Sequence, residues 1–269
     1  MTTYQTLIHS LDQGVATLTL NRPQVKNAID RTMGEELCDY LLAIRQDEEA
    51  RVLVIRGAGS DFCSGGDVSA MAQDGQRAPA QARMDMQRYR QLTRDLHDLE
   101  KPVIACVDGV AYGAGFSLLL LADLVFVSDR ARLSMAFQRV GLLPDCGALY
   151  TLPRVVGLQR AKELVFSGRV LTPTEALDMG IAMEVLPAAD LPSRVTEVAR
   201  SLVGASPVAT AMAKRALNGS LNNDLDTMME IEASAQALAL GSEYLREAKR
   251  RFANKEAAQF QWPAGNRTA

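Results

Sequence analysis

The sequence predicts an α/β fold in which a sheet-bearing core is followed by a helical C-terminal region. Three observations carry this prediction. Short β-rich runs alternate with amphipathic stretches over the first two thirds of the chain. Two glycine-rich loops each follow a β-rich run and precede a helical one, and from Leu191 onward the pattern is helical almost without interruption.

In chain order, Thr6 to Leu11 and Val15 to Leu20 read as strands around Asp12-Gln13-Gly14, a hairpin turn. Beyond the Pro23 loop, Asp30 is placed to cap a helix whose apolar stripe is Leu37, Tyr40, Leu41 and Ile44. Val52 to Ile55 is a strand leading to Gly57-Ala58-Gly59-Ser60. A long helix with Leu92, Leu96 and Leu99 on one side is stopped by Lys101-Pro102 before the strand Val103 to Val107. Thr172-Pro173-Thr174-Glu175 has the form of a capping box with proline in the first turn, and Gly180 is the matching stop. Within the helical tail the strong breaks are Gly204-Ala205-Ser206-Pro207 and Asn218-Gly219. No short-period repeat or low-complexity tract interrupts the chain.

The bulk composition excludes several classes. A length of 269 residues with 48% hydrophobic content fills a large core, which rules against disorder. With 29 Lys plus Arg against 32 Asp plus Glu, the net charge of -3 offers no general attraction to nucleic acid or anionic membranes. The four cysteines (Cys38, Cys63, Cys106, Cys146) are widely spaced without a C-x-x-C pair, which suits free thiols in a reducing compartment. Met1-Thr2-Thr3-Tyr4 lacks the basic start and apolar stretch of a signal peptide, so a cytoplasmic protein is expected. Gly109 to Ser128 carries only Asp123 as a charge over about the length of a membrane span. Its glycines and the β-rich ending Leu124-Val125-Phe126-Val127 fit a turn, a buried helix and a strand instead.

The chemistry concentrates in the two loops Phe62-Cys63-Ser64-Gly65-Gly66-Asp67 and Asp108-Gly109-Val110-Ala111-Tyr112-Gly113-Ala114-Gly115. A loop that enters a helix presents backbone N–H groups able to bind negative charge. Read singly, each is also consistent with an ordinary tight turn. Neither matches the dinucleotide fingerprint or the Gly-Lys-Ser/Thr ending of a phosphate loop, which disfavours a nucleotide-phosphate cradle.

With their flanks, these loops closely resemble the enoyl-CoA hydratase/isomerase, or crotonase, superfamily. The resemblance runs from Leu20-Asn21-Arg22-Pro23 and Asn27-Ala28-Ile29 through both loops to Pro144-Asp145-Cys146-Gly147 and Leu152-Pro153-Arg154-Val155-Val156-Gly157. It continues through Thr172-Pro173-Thr174-Glu175-Ala176 and ends at Phe252-Ala253-Asn254-Lys255. It implies a spiral of repeated β-β-α units over residues 1–195 and a helical trimerisation region over 196–269, with homotrimers often paired into hexamers. It further implies an acyl-CoA thioester substrate, no separate cofactor because coenzyme A is part of that substrate, and an oxyanion hole made by the N–H groups of Gly66 and Ala114. Val25, Lys26, Ser64, Asp67 and Val68 match family positions that contact the nucleotide and pantetheine parts of coenzyme A. Phe252 and Lys255 match positions near its phosphate and adenine end, with a neighbouring subunit as an alternative source of them. For Lys26 and Lys255, ordinary solvated charge is the competing reading.

Family hydratases resemble one another in using two glutamates, and the matching positions here are Ser117 and Phe137. Neither supplies a carboxylate base, so two-glutamate hydration is not expected. Asp145 remains. An acid at this position resembles the single acid/base of enoyl-CoA isomerases, especially those of bacterial phenylacetate degradation. Leu142, Leu143, Pro144 and Phe137 surround it with apolar residues that would raise its pKa. The competing role is a cap on the helix starting near Gly147. The expected reaction moves a double bond, or isomerises a related ring, through an enolate. The alternatives are a hydratase-like lyase and a family member that binds acyl-CoA or RNA without catalysis. 4-Chlorobenzoyl-CoA dehalogenases also carry an aspartate here, but Arg90 stands where they have a histidine. Ser117 lies in no G-x-S-x-G elbow. Met84 and Met86 are read as core rather than as site residues.

Overall fold

The computed structural model describes residues 3–73 and 78–264, so Met1, Thr2 and the last five residues of the expected C-terminal region lie outside the described residues. The chain opens with a hairpin of β1 (Leu7–Asp12) and β2 (Val15–Leu20), closed by Gln13 and Gly14 at φ 47° and 83°. Two successive positive φ values match the right-handed twist of the paired strands. Then come α1 (Arg31–Gln46), β3 (Val52–Gly57), α2 (Val68–Gln73), α3 (Pro79–His97) and β4 (Val103–Val107). Asp30 caps α1 by accepting from the Met33 N–H at 2.8 Å. β5 (Val110–Tyr112), α4 (Ala114–Leu119), β6 (Leu124–Ser128) and β7 (Arg132–Ser134) follow, so the near-uncharged stretch after Gly109 forms strand, helix and strand. After a 3-10 turn at Ala136–Val140 the chain forms α5 (Ala148–Val156), α6 (Leu158–Ser167), α7 (Pro173–Asp178) and β8 (Glu184–Leu186). The last helices are α8 (Leu191–Val203), α9 (Pro207–Gly219), α10 (Leu225–Leu240) and α11 (Glu243–Ala253). No described helix is long and apolar enough to cross a membrane.

The main sheet has six strands in the order β1-β2-β3-β4-β6-β8, parallel except for the opening hairpin. Its central strands are apolar on both faces, as expected where both are covered. Val52 and Val54 join Ile104, Phe126 and Leu186 beneath Val195 and Val198 of α8, while Leu53 and Ile55 face the larger core with Leu37, Leu41, Leu96 and Leu99. This alternation follows the two-residue period of a strand. The boundary expected at residues 195 and 196 lies within α8. That helix is continuous there because its apolar stripe covers the sheet.

A second, narrower layer positions the site. β5 pairs in parallel with β7, and isolated parallel bridges join Ile29 to Gly66 and Cys63 to Ala111. Each turn of the chain thus adds a strand to the main sheet and a short extended segment to this layer. The second loop differs from its expected form here, because β5 lies inside it. Its three residues gain their ladder bonds from distant segments, β7 on one side and Cys63 on the other, which local pattern does not reveal.

Candidate active site

The first loop leaves one amide free. In its bridge to Gly66, Ile29 donates to the Gly65 carbonyl at 2.7 Å and accepts from the Asp67 N–H at 2.9 Å. Successive residues of an extended chain point their N–H groups to opposite sides, so the Gly66 N–H faces away from Ile29. It donates to no atom among the described residues.

The second loop packs against the first and carries a free amide of its own. Cys63 donates to the Val110 carbonyl and accepts from the Tyr112 N–H, both at 2.9 Å, which stitches the loops together. Asp61 adds a carboxylate that accepts from the Val110 N–H at 2.9 Å. The chain then turns at Gly113 (φ 51°, ψ -121°) into α4, whose first internal bond is Ser117 N–H to the Gly113 carbonyl at 3.0 Å. The Ala114 N–H therefore has no partner within the helix. A Cβ on Gly65 would lie 3.3 Å from the Ala114 nitrogen and 2.7 Å from the Tyr112 oxygen, and one on Gly115 would lie 2.3 Å from the Cys63 oxygen. Only glycine permits this approach, which packs the chain beside Gly66 against the entry to α4.

Asp145 sits on the loop between the 3-10 turn and α5. It does not cap that helix: Gly147 is the N-cap, and no side chain bonds to it. Its Oδ1 is buried without a hydrogen-bond partner among the described residues. Burial holds its carboxyl above the ordinary carboxylate value, with the neighbouring Cys146 thiol acting partly the other way. The neighbouring Cys146 thiol is raised well above normal by burial first, then by Asp145 and Cys63. Cys63 itself is pushed up to about 12 by burial. Tyr89 of α3 is raised by burial, then by Cys146 and Asp145. Asp145 thus lies among neutral weak acids, and its loop packs towards the cysteine three residues before Gly66. Leu142 and Leu143 are 49% and 72% exposed, so the two leucines expected to bury the carboxyl instead face outward. The residues on either side of it, Pro144 and Cys146, are buried, and Tyr89 of α3 lies near enough to feel the Asp145 charge.

Other expected residues divide clearly. Val25, Lys26, Ser64 and Val68 share the surface around the first loop: Ser64 donates through its N–H to the Lys26 carbonyl at 2.9 Å and through Oγ to the Val25 carbonyl at 3.2 Å. Asp67 is committed within the chain, accepting from the Ala70 N–H at 3.1 Å and from Arg22 at 3.0 Å. Burial raises its carboxyl, but the Ala70 and Arg22 bonds together hold it below the ordinary value. Ser117 is fully buried with its Oγ on the Gly113 carbonyl, and the Phe137 ring would lie 3.9 Å from a Cβ on Gly113. No carboxylate occupies either position.

Phe252 is 88% exposed at the end of α11, and Lys255 follows at φ 57°. Tyr244 anchors that helix to the Gly204 carbonyl at 3.1 Å, beside Arg51 at the start of β3. Neither Phe252 nor Lys255 makes a side-chain hydrogen bond to the residues around the first loop among the described residues. Arg90 is an exposed residue of α3, His97 pairs with Asp98 at 2.7 Å, and His9 contacts Tyr40. Met84 and Met86 are 67% and 43% exposed, not core. A cleft of about 770 Å³ lined by Arg45, Asp95, Tyr150 and Lys214 contains none of Gly66, Ala114 and Asp145. Among the described residues no His, Cys, Asp and Glu cluster is grouped to hold a metal.

Three positioning residues had no role assigned from sequence: Asn27, Asp61 and Tyr89. Asn27 is fully buried at φ 55°, accepts from the Arg22 N–H and donates to the Ala58 and Asp61 carbonyls. An asparagine just after a proline turn is a signal for such a left-handed position.

The profile of the enoyl-CoA hydratase/isomerase family matches residues 10–263. The 1,2-epoxyphenylacetyl-CoA isomerase of Escherichia coli is 36% identical over 255 residues, covering 94% of this chain and 97% of that protein. A probable enoyl-CoA hydratase of Rhodobacter capsulatus is 34% identical, covering 96% and 98%. The crystal structure of an enoyl-CoA hydratase/isomerase from Cupriavidus metallidurans is 40% identical, with a TM-score of 0.93 over 99% of this chain and 100% of that one. The loop architecture and these relatives agree, and the chain belongs to the enoyl-CoA hydratase/isomerase family with the crotonase fold.

Proposed function

We propose that the protein is an acyl-CoA isomerase that shifts the double bond of a 3-enoyl-CoA to the 2-position. The carrying observation is one buried, unpartnered carboxyl oxygen on Asp145, with Ser117 and Phe137 at both positions where a hydratase would need glutamate. In this reading the thioester oxygen accepts from the N–H groups of Gly66 and Ala114. Each such donor contributes about 3–4 kcal/mol as charge develops on the oxygen. Asp145 takes the α-proton, the electrons move into a dienolate, and the same carboxyl returns the proton at the γ-carbon. A raised pKa suits this exchange, because the group must hold the proton between the two steps.

Val25, Lys26, Ser64, Asp67 and Val68 are proposed to hold coenzyme A, with Phe137 against the acyl group. Asp67 acts through its position, since its carboxylate already serves Arg22 and Ala70. Phe252 and Lys255 reach the site from a neighbouring subunit of a homotrimer or hexamer. No cofactor beyond the coenzyme A of the substrate enters this scheme, and a cytoplasmic setting accords with the four free cysteines. A second reading, isomerisation of a ring epoxide on an arylacetyl-CoA, is favoured by the name of the 36% identical relative and uses the same amides and carboxyl.

The test is a spectrophotometric assay of 3-enoyl-CoA and 2-enoyl-CoA with wild type and Asp145→Asn. Isomerisation should fall by about a hundred- to ten-thousandfold in the variant. Equal isomerisation rates, or a wild type that hydrates 2-enoyl-CoA faster than it isomerises 3-enoyl-CoA, overturn the proposal.

A further inference from the structure

We infer that Arg22 is a positioning residue for the Gly66 amide, its guanidinium clamping together the two segments whose pairing aims that N–H. Gly65 and Gly66 are consecutive residues without a Cβ, so the peptide between them has little steric restraint of its own and must be held from its flanks. The Ile29–Gly66 bridge holds it, through the Ile29 N–H on the Gly65 carbonyl and the Asp67 N–H on the Ile29 carbonyl. Arg22 spans that bridge with one nitrogen. Its Nη1 carries two hydrogens, and it donates to the Ala28 carbonyl at 2.7 Å and to Asp67 Oδ2 at 3.0 Å. These are the residues directly before Ile29 and directly after Gly66.

The second terminal nitrogen, Nη2, lies 3.3 Å from Asp30 Oδ2. Both carboxylates are themselves anchored at helix starts, Asp30 on the Met33 N–H of α1 and Asp67 on the Ala70 N–H of α2. The arginine is fixed at its own backbone, where its N–H donates to Asn27 Oδ1 and its carbonyl accepts from the Asn27 N–H, both at 2.9 Å. The Arg22 and Asp67 side chains are 17% and 12% exposed, so water competes little for this clamp. A planar guanidinium serves three acceptors on both segments at once, which the single nitrogen of a lysine does not reproduce. Without it, two backbone bonds beside two glycines are left to aim the Gly66 N–H.

This inference rests on the proposed role of that N–H in holding the thioester oxygen, and its test separates the two. Butanoyl-CoA labelled with 13C at the thioester carbonyl has no double bond to shift, and the infrared band of its carbonyl reports the hydrogen bonds made to it when bound. The band is measured in wild type, Arg22→Gln, Arg22→Lys and Glu184→Ala, the last a destabilising change at the β8 edge of the sheet. Hydrogen exchange of the peptides carrying Ile29 and Asp67 is followed without ligand, and kcat and KM are measured with 3-enoyl-CoA. In Arg22→Gln the bound band should move back towards its position in free butanoyl-CoA, both peptides should exchange faster, and kcat should fall by about ten- to a hundredfold. Arg22→Lys, which keeps the charge but not the fork, should show the same changes at smaller size, and it decides the matter if Arg22→Gln does not fold. Glu184→Ala should leave the band, both peptides and kcat as in wild type. An unmoved band in both Arg22 variants, or an equal movement in Glu184→Ala, overturns the positioning role. If the wild-type band stays where it lies in free butanoyl-CoA, the proposed function fails, while exchange at Ile29 and Asp67 still decides whether Arg22 holds the bridge.

Discussion

Gly65→Ala tests whether the close contact of the two loops sets the Gly66 and Ala114 amides. Gly65 has φ 98°, and an added Cβ would lie 2.7 Å from the Tyr112 oxygen and 3.3 Å from the Ala114 nitrogen. A close carbon–oxygen contact is about 3.3 Å, so the loops must part by roughly 0.6 Å. A donor that must lie about 2.7–3.1 Å from an oxyanion does not tolerate that displacement. Loss of one donor predicts a fall in kcat of about a hundred- to a thousandfold. The strained φ adds roughly 1–3 kcal/mol of destabilisation. For a chain of this size, each kcal/mol lowers the melting temperature by about 2–4 °C. Gly180→Ala is the control, because its φ of 74° imposes strain while nothing lies within 4 Å of the added Cβ. It should melt lower without losing kcat. Steady-state kinetics with 3-enoyl-CoA and thermal melts of both variants decide the matter. A loss of less than about tenfold in Gly65→Ala refutes the reasoning, as does an equal loss of kcat in Gly180→Ala.

Asp145 carries a linked stability prediction. Its folded carboxyl titrates above the ordinary value of 3.8, so the protonated form favours folding and that contribution disappears as pH rises through the folded midpoint. At neutral pH the buried charge therefore opposes folding. Asp145→Asn should melt higher than wild type at pH 7, with the difference shrinking as pH falls towards 3.8, and wild-type kcat/KM should drop on the acid side at a midpoint above that value. Glu184 bonds Arg194 at 2.8 and 3.0 Å, with the two side chains 11% and 6% exposed. Glu184→Ala should lower stability in urea by roughly 3 kcal/mol, the low end for a broken buried pair, because Glu197 still holds the arginine. Asn27→Ala leaves the Arg22 N–H and two buried carbonyls without their partner, so it should destabilise the chain by about 1–3 kcal/mol. It should also raise KM for acyl-CoA more than it lowers kcat, which initial-rate kinetics would show.

Much of this site is legible from particular residues. The capping box at Thr172 forms as its spacing requires, with Thr172 accepting from the Glu175 N–H and Glu175 accepting from the Thr172 N–H. The turn after Asp12 and the buried run of β4 were equally readable, because they depend on neighbouring residues and on a two-residue period. β5 was not, since its partners are β7 and Cys63, both distant in the chain. The surroundings of Asp145 were misread in part. Adjacent leucines suggested its apolar setting, whereas Leu142 and Leu143 face outward and the neighbours it acts on are Cys146 and Tyr89, the latter 56 residues earlier in the chain.

By itself the sequence determined the alternation of elements, the glycines that allow two loops to touch, and the lone acid at 145 without glutamate at 117 or 137. These are local matters of side-chain presence and backbone freedom. Tertiary structure alone decided which amides are left unbonded, that Asp145 does not cap its helix, and that one of its oxygens is buried without a partner. The reason is physical. Hydrogen-bond satisfaction and desolvation depend on every group that converges on an atom, and here those groups come from the segment at Ile29, the loop around Cys63, α3, β5 and the loop before α5.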